Sequence, residues 1–150
     1  VRFRRATADD VPTLLALQQR FYAAEGYPYD RAVMERGMRE LIAAPSLGRL
    51  FLGPDAYLVV TFGFSLEFGG RDAFVDELYV ADAARGQGLG TEALRVAEEA
   101  CREAGIHALH LEVEHVNARA RALYERAGYE AHERHLMTKR FGDAGSSKAV

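Results

Sequence analysis

The sequence predicts an α/β fold, mixed α+β in detail, in which one central mixed sheet carries helices on both faces. Three observations predict it. Leu58, Val60, Phe62, Phe64, Leu66 and Phe68 alternate with Val59, Thr61, Gly63, Ser65 and Glu67, which is the two-residue period of a strand. Runs with helical period stand on either side, at Val11 to Tyr22 and at Leu89 to Ala104. A glycine-rich link, Arg85-Gly86-Gln87-Gly88-Leu89-Gly90-Thr91, joins a strand-like run to the second of them. The resulting order is β-α-α-β-β-β-α-β-α-β-β.

Val1 to Thr7 reads as the opening strand. Asp9-Asp10-Val11-Pro12 has helix-start chemistry, with an acidic cap and a proline tolerated in the first turn, so a helix is expected to about Glu25. Gly26-Tyr27-Pro28-Tyr29 interrupts it, and a second helix is expected from about Asp30 to Ala43, before Pro45. Leu50 to Gly53 and the turn Pro54-Asp55 lead into the alternating strand. Gly69-Gly70 supplies its reversal, which makes Ala73 to Ala81 the antiparallel partner. After the glycine link, Thr91 to Ala104 forms a helix that Gly105 ends. His107 to Val113 alternates again, Asn117 caps a short helix ending near Gly128, and Tyr129 to Ala131 and Leu136 to Phe141 suggest a last pair of strands. Residues 1–141 are thus expected to form a single domain, and the small, polar stretch 142–150 a disordered tail.

Composition narrows the function. A chain of 150 residues with 49% apolar and 27% charged content can bury one substantial core. A net charge of −3 argues against a nucleic-acid surface and favours cationic small partners. The lone Cys101 excludes an internal disulfide, and the expected location is cytoplasmic. No apolar run approaches the roughly 20 residues of a membrane span, so no membrane association is expected. His132 and His135, like His110 and His115, do not converge as metal ligands on strands, and no metal is expected.

The glycine link is the most specific feature. Glycines at 86, 88 and 90 remove β-carbons that would hold an anion away from the main chain. The first amides of the following helix lack partners within it, and the helix dipole adds positive potential there. A pyrophosphate suits both features, and Arg85 adds a charged donor. No lysine follows the glycines as a P-loop requires, and their spacing is wrong for a dinucleotide fingerprint.

The pattern Arg85, Gly88, Gly90, with Phe74-Val75-Asp76-Glu77-Leu78-Tyr79-Val80 before it and Asn117 to Tyr129 after it, resembles the GCN5-related N-acetyltransferase (GNAT) superfamily. The resemblance implies a mostly antiparallel sheet whose fourth strand bulges and splays from the fifth, with acetyl-CoA lying in the gap. It implies cofactor contacts from the backbone of Leu78, Tyr79 and Val80, from the loop Arg85, Gly86, Gln87, Gly88, Leu89, Gly90 and Thr91, and from Asn117 and Tyr124. It also implies transfer of an acetyl group to a primary amine of a small molecule or peptide, by direct attack in a ternary complex. Homodimers are frequent among proteins that resemble this one.

An alkyl ammonium has a pKa of about 10.4, so forming the free amine at pH 7 costs about 4.6 kcal/mol. Asp76 or Glu77, directly or through a water, is placed to take that proton and to attract a cation. Proteins resembling this one often carry the pair as Glu-Asp, whereas this chain reads Asp-Glu, and the base is left as either. Asn117 and Tyr124 lie two helical turns apart on nearly the same face. By resemblance Tyr124 sits near the sulfur, where its hydroxyl would stabilise growing thiolate charge. Glu67 and the tyrosines around the helix junction, Tyr22, Tyr27 and Tyr29, are candidates for the wall of the acceptor pocket. A rival reading is a noncatalytic acyl-CoA sensor or partner module, which would keep the glycine loop but could dispense with the acids and Tyr124.

Overall fold

A computed structural model describes residues 1–142. Thr7 and Asp10 open the helical region by a reciprocal box, in which the Thr7 amide donates to the Asp10 carboxylate at 2.8 Å. Helix α1, Val11–Glu25, then runs until Gly26 closes it in the left-handed conformation. The Asp30 side chain accepts from the Val33 amide and caps α2, Arg31–Ala43.

The sheet comprises β1 (Arg4–Arg5), β2 (Gly48–Gly53), β3 (Ala56–Ser65), β4 (Gly70–Val80) and β5 (Ala108–Leu111), side by side in that order. Every pairing is antiparallel except that of β4 with β5. A crossover through α3, Leu89–Glu103, makes that pair parallel, as a strand-helix-strand connection requires. Helix α4, Ala118–Arg126, follows β5, with the Asn117 side chain accepting from the Ala120 amide.

Two cores sandwich the sheet. Leu58, Val60, Ala73 and Val75 pack against Leu89, Ala93, Leu94 and Ala97 of α3. Tyr57, Val59 and Tyr79 pack on the other face against Val11, Leu14 and Leu17 of α1 and Met38 of α2. Each core buries a full helical stripe, which accounts for the period read in the sequence.

Three expectations are corrected. The alternation to Phe68 does not extend β3 that far, because Leu66 to Gly69 form the reversal and the Gly69 amide bonds the Leu66 carbonyl at 3.1 Å. Helix α3 starts at Leu89, two residues early, because Gly88 takes the left-handed cap position. The last two strands, at 129–131 and 136–141, do not form among the described residues. Strand preference is realised only beside a partner, and Arg134 instead holds this segment to Glu67 at the β3–β4 turn, at 2.8 Å. The expected tail, 142–150, lies outside the described residues apart from Gly142.

Candidate active site

The site begins with a fault in the sheet. Val59 pairs with Glu77 and Val60 with Val75, so Asp76 is an extra residue on β4, a bulge. Its consequence can be read from side-chain parity. Ala73 and Val75 face the α3 core, and beyond the bulge so do Leu78 and Val80, while Glu77 and Tyr79 turn to the opposite face. Pairing of β4 with β5 also ends here, at Val75 opposite Leu111. From Asp76 to Val80, β4 runs on with β3 on one side and a gap on the other.

That gap widens into a groove of about 750 Å³. Its floor is Asp76 to Val80, one wall is the glycine loop with the start of α3, and the other is Leu111 to Glu114 with Asn117, Leu123 and Tyr124. Gly86 and Gly88 both adopt left-handed conformations, with φ of 79°, so the loop curls without side chains between the groove and the first turn of α3. Gly90 approaches Leu123 of α4 so closely that a β-carbon there would lie 3.1 Å from a leucine methyl. The first backbone amides of α3, which have no partner within the helix, therefore lie at the wall of the groove without side chains from Gly86 or Gly88 over them.

The arginine expected to reach the anion is partly engaged. Arg85 donates to the Val80 carbonyl at 3.1 Å and pairs with Asp82 at 2.9 Å, so it also braces the loop against the end of β4. The sequence reading missed Arg2. Its guanidinium donates to the Gln87 carbonyl at 3.0 Å and to Glu92 at 2.8 Å, tying the N-terminal strand region to the loop from behind. Glu92 is held below the usual carboxylate range, first by the Arg2 backbone amide and then by its side chain. The partners of Arg2 lie 85 and 90 positions along the chain, and no local motif signals the contact.

The two acids of β4 have different surroundings. Glu77 is 8% exposed, and three donors converge on its carboxylate: Tyr22 at 2.6 Å, Tyr57 at 2.7 Å and the Gln18 amide at 3.0 Å. Burial, followed by the charge of Glu77, pushes both tyrosines far above the usual phenol range, so they remain donors. Asp76, on the bulge, is exposed along the groove. Tyr29 donates to the Leu15 carbonyl and the Gln18 side chain, each at 3.2 Å, and thus supports the cluster one step removed. Burial raises its pKa to about 12.

Among the expected site residues, Asp76, Glu77, Leu78, Tyr79, Val80, Arg85, Gly86, Gly88, Leu89, Gly90, Thr91, Asn117, Tyr124 and Tyr27 line the groove together. Tyr27 donates to Glu114 at 3.2 Å, a bond from the α1–α2 junction to the chain beyond β5. Tyr124 is half-buried, and burial raises its pKa. Gln87 contributes its carbonyl to Arg2 instead of lining the groove, and Tyr22 and Tyr29 lie behind Glu77. Glu67 is on the exposed β3–β4 turn, paired with Arg134 and away from the groove. The reading also missed Glu25, Glu112 and Glu114, which line the groove from α1 and from the end of β5. The only signal for Glu112 and Glu114 was an excess of acid beside His115, which sequence alone cannot place beside Glu25 of α1. No cluster of three or more metal-binding side chains occurs among the described residues.

A model of the acetyltransferase (GNAT) family matches residues 14–129. An integron cassette protein, HFX_CASS3, from the mobile metagenome of Cole Harbour Salt Marsh superposes with a TM-score of 0.84 at 34% identity, over 94% of this chain and 91% of that one. A chain from Clostridium acetobutylicum, named as a predicted acetyltransferase and solved with acetyl-CoA, shares the fold at 19% identity and a TM-score of 0.77, over 91% and 94% of the two chains. An uncharacterized N-acetyltransferase of Bacillus subtilis (strain 168), YhfO, is 39% identical over 60 residues, which is 40% of the length of each protein.

Proposed function

Because the chain belongs to the GNAT acetyltransferase family, we propose that it moves the acetyl group of acetyl-CoA to a primary amine within this groove. The observation that carries the reading is the coincidence of three features at one point: the bulge at Asp76, the end of β4–β5 pairing, and the bare glycine loop facing the gap. The diphosphate would rest on the amides at the start of α3, and the thioester arm would lie along Leu78 to Val80. Asn117 commits its Oδ1 to the helix cap, so its Nδ2 is what it offers the arm.

The groove is electrically divided, which supports a cationic acceptor. Its arginines, Arg85, Arg119 and Arg126, come from the loop and α4, while its carboxylates, Glu25, Asp76, Glu77, Glu112 and Glu114, come from α1, β4 and the end of β5. Phosphates suit the first group and an ammonium the second. We assign Asp76 as the proton acceptor, directly or through a water. Glu77 accepts from two phenols and an amide, which hold its carboxylate in place, and it positions β4 and α1 relative to each other.

The ammonium first loses a proton through Asp76 to solvent water; the neutral amine nitrogen then attacks the acetyl carbonyl carbon, its second proton passes to Asp76, and the carbon–sulfur bond breaks with the electron pair left on sulfur. The Tyr124 hydroxyl donates to that sulfur. A phenol is a weaker acid than a thiol, and burial weakens Tyr124 further, so a hydrogen bond is its role and full proton transfer is not required.

The test is release of free thiol from acetyl-CoA in the presence of polyamines, aminoglycosides, amino acids and peptides. Release with a cationic amine supports the proposal. Binding of acetyl-CoA without release for any acceptor would contradict it and favour a noncatalytic sensor.

A further inference from the structure

The glycine loop owes one of its peptide planes to a residue far away in sequence. Gly86 and Gly88 flank Gln87, both with φ of 79°. The peptide between Gln87 and Gly88 can turn over by a change of ψ at the first and φ at the second, and glycine accepts φ of either sign. For an anion the two orientations are opposite. The peptide is trans, so its carbonyl and its amide point in opposite directions. One orientation turns the Gly88 amide to the groove. The other turns the Gln87 carbonyl oxygen there, where it would repel a diphosphate.

Arg2 selects the first orientation. Its guanidinium donates to the Gln87 carbonyl at 3.0 Å from outside the groove, which Gly88 lines and neither Arg2 nor Gln87 does. Glu92 aims that guanidinium: the Arg2 Nε donates to one carboxylate oxygen at 2.8 Å and the Arg2 backbone amide to the other at 2.5 Å. Glu92 stands in the first turn of α3, and its own amide donates to the Gly88 carbonyl at 3.0 Å, where the helical ladder begins. The loop peptide and the start of the helix are thus held by one side chain. A carboxylate at a helix start also competes with a phosphate for the positive end of the dipole, and its pairing with Arg2 offsets that charge.

We propose, on the reading of the groove as an acetyl-CoA site, that Arg2 is a positioning residue for the coenzyme. By holding the Gln87 carbonyl behind the loop, it keeps the Gly88 amide turned into the groove to receive the diphosphate. Arg2 does not line the groove, so it acts through the peptide and not by touching phosphate.

Calorimetry with acetyl-CoA and the amide spectrum of the ligand-free protein test this role. Arg2→Ala should weaken acetyl-CoA binding by roughly tenfold, the effect of one hydrogen bond to a charged donor. The Gly88 amide resonance, single in the unaltered protein, should broaden or split in that variant as the peptide samples both orientations. Arg2→Ala/Glu92→Gln should remain weak, because removing the acid does not restore the hold on Gln87. The Arg2 side chain is 41% exposed and precedes β1, so the thermal midpoint should change little. Unchanged affinity in Arg2→Ala would overturn the role, and so would an unperturbed Gly88 resonance. Full recovery in the double variant would also overturn it, leaving Arg2 only to offset the charge of Glu92. Failure of the unaltered protein to bind acetyl-CoA would remove the transferase reading together with the role of Arg2, whereas binding indifferent to Arg2 removes the second alone.

Discussion

The two halves of the groove are built in different ways. The proposed cofactor half is largely main chain, a loop of glycines, the first turn of α3 and the unpaired edge of β4, all within residues 76–91, to which α4 and its cap add Asn117, Tyr124 and two arginines. The proposed acceptor half is side chains brought from far apart, with Tyr27 from the helix junction, Asp76 from the bulge, and Glu112 and Glu114 from beyond β5. A surface of backbone amides tolerates change everywhere except where a β-carbon would intrude. A surface of side chains can be altered one group at a time. The cofactor half therefore suits a constant ligand, and the acceptor half a variable one.

Substitutions that separate binding from turnover sharpen this contrast. Asp76→Asn should have the largest effect, lowering kcat by roughly 10² to 10⁴ while leaving acetyl-CoA affinity unchanged by calorimetry. Gly88→Val should do the reverse. The left-handed backbone at Gly88 penalises a branched side chain by about 1 to 2 kcal/mol, and the loop's departure from that conformation should weaken acetyl-CoA binding by roughly tenfold in Kd. If both variants lost affinity equally, the division of the groove would be wrong.

Smaller effects probe groups at the junction. Tyr124→Phe should lower kcat by roughly tenfold with little change in cofactor affinity. Its pH dependence has a definite sign: burial disfavours the phenolate and raises the pKa, so the hydroxyl stays a donor and should cause no alkaline loss of activity below about pH 10. Tyr57→Phe removes a buried donor to Glu77 and should destabilise the fold by about 1 to 3 kcal/mol in denaturant titration, with a smaller loss of turnover than Asp76→Asn. Cys101 is the control outside the groove. Burial raises its thiol to about 11, so alkylation at pH 8 should be slow until the protein is unfolded.

The contrast also explains what the sequence disclosed. The glycine loop, the acid pair and the Asn117 cap are each contiguous, and their chemistry follows from neighbours along the chain. The bulge was expected from the family resemblance, but it is also written in the residues, since Ala73 and Val75 change parity to Leu78 and Val80. The brace by Arg2, the clamp of Glu77 by Tyr22, Tyr57 and Gln18, and the Tyr27–Glu114 bond join residues 20 to 90 positions apart, which no local pattern reveals. Glu67 sits at the end of an alternating run, and alternation alone does not tell a groove wall from a turn. The final strands misled because apolar residues at 136, 137 and 141 define a strand only when an edge receives them.

A crystal structure with acetyl-CoA tests the central claim most directly. The account predicts the diphosphate oxygens within hydrogen-bonding distance of amides between Gly86 and Thr91, and the sulfur beside Tyr124 in the gap that opens at Asp76. A diphosphate bound elsewhere, with the loop amides facing solvent, would contradict it.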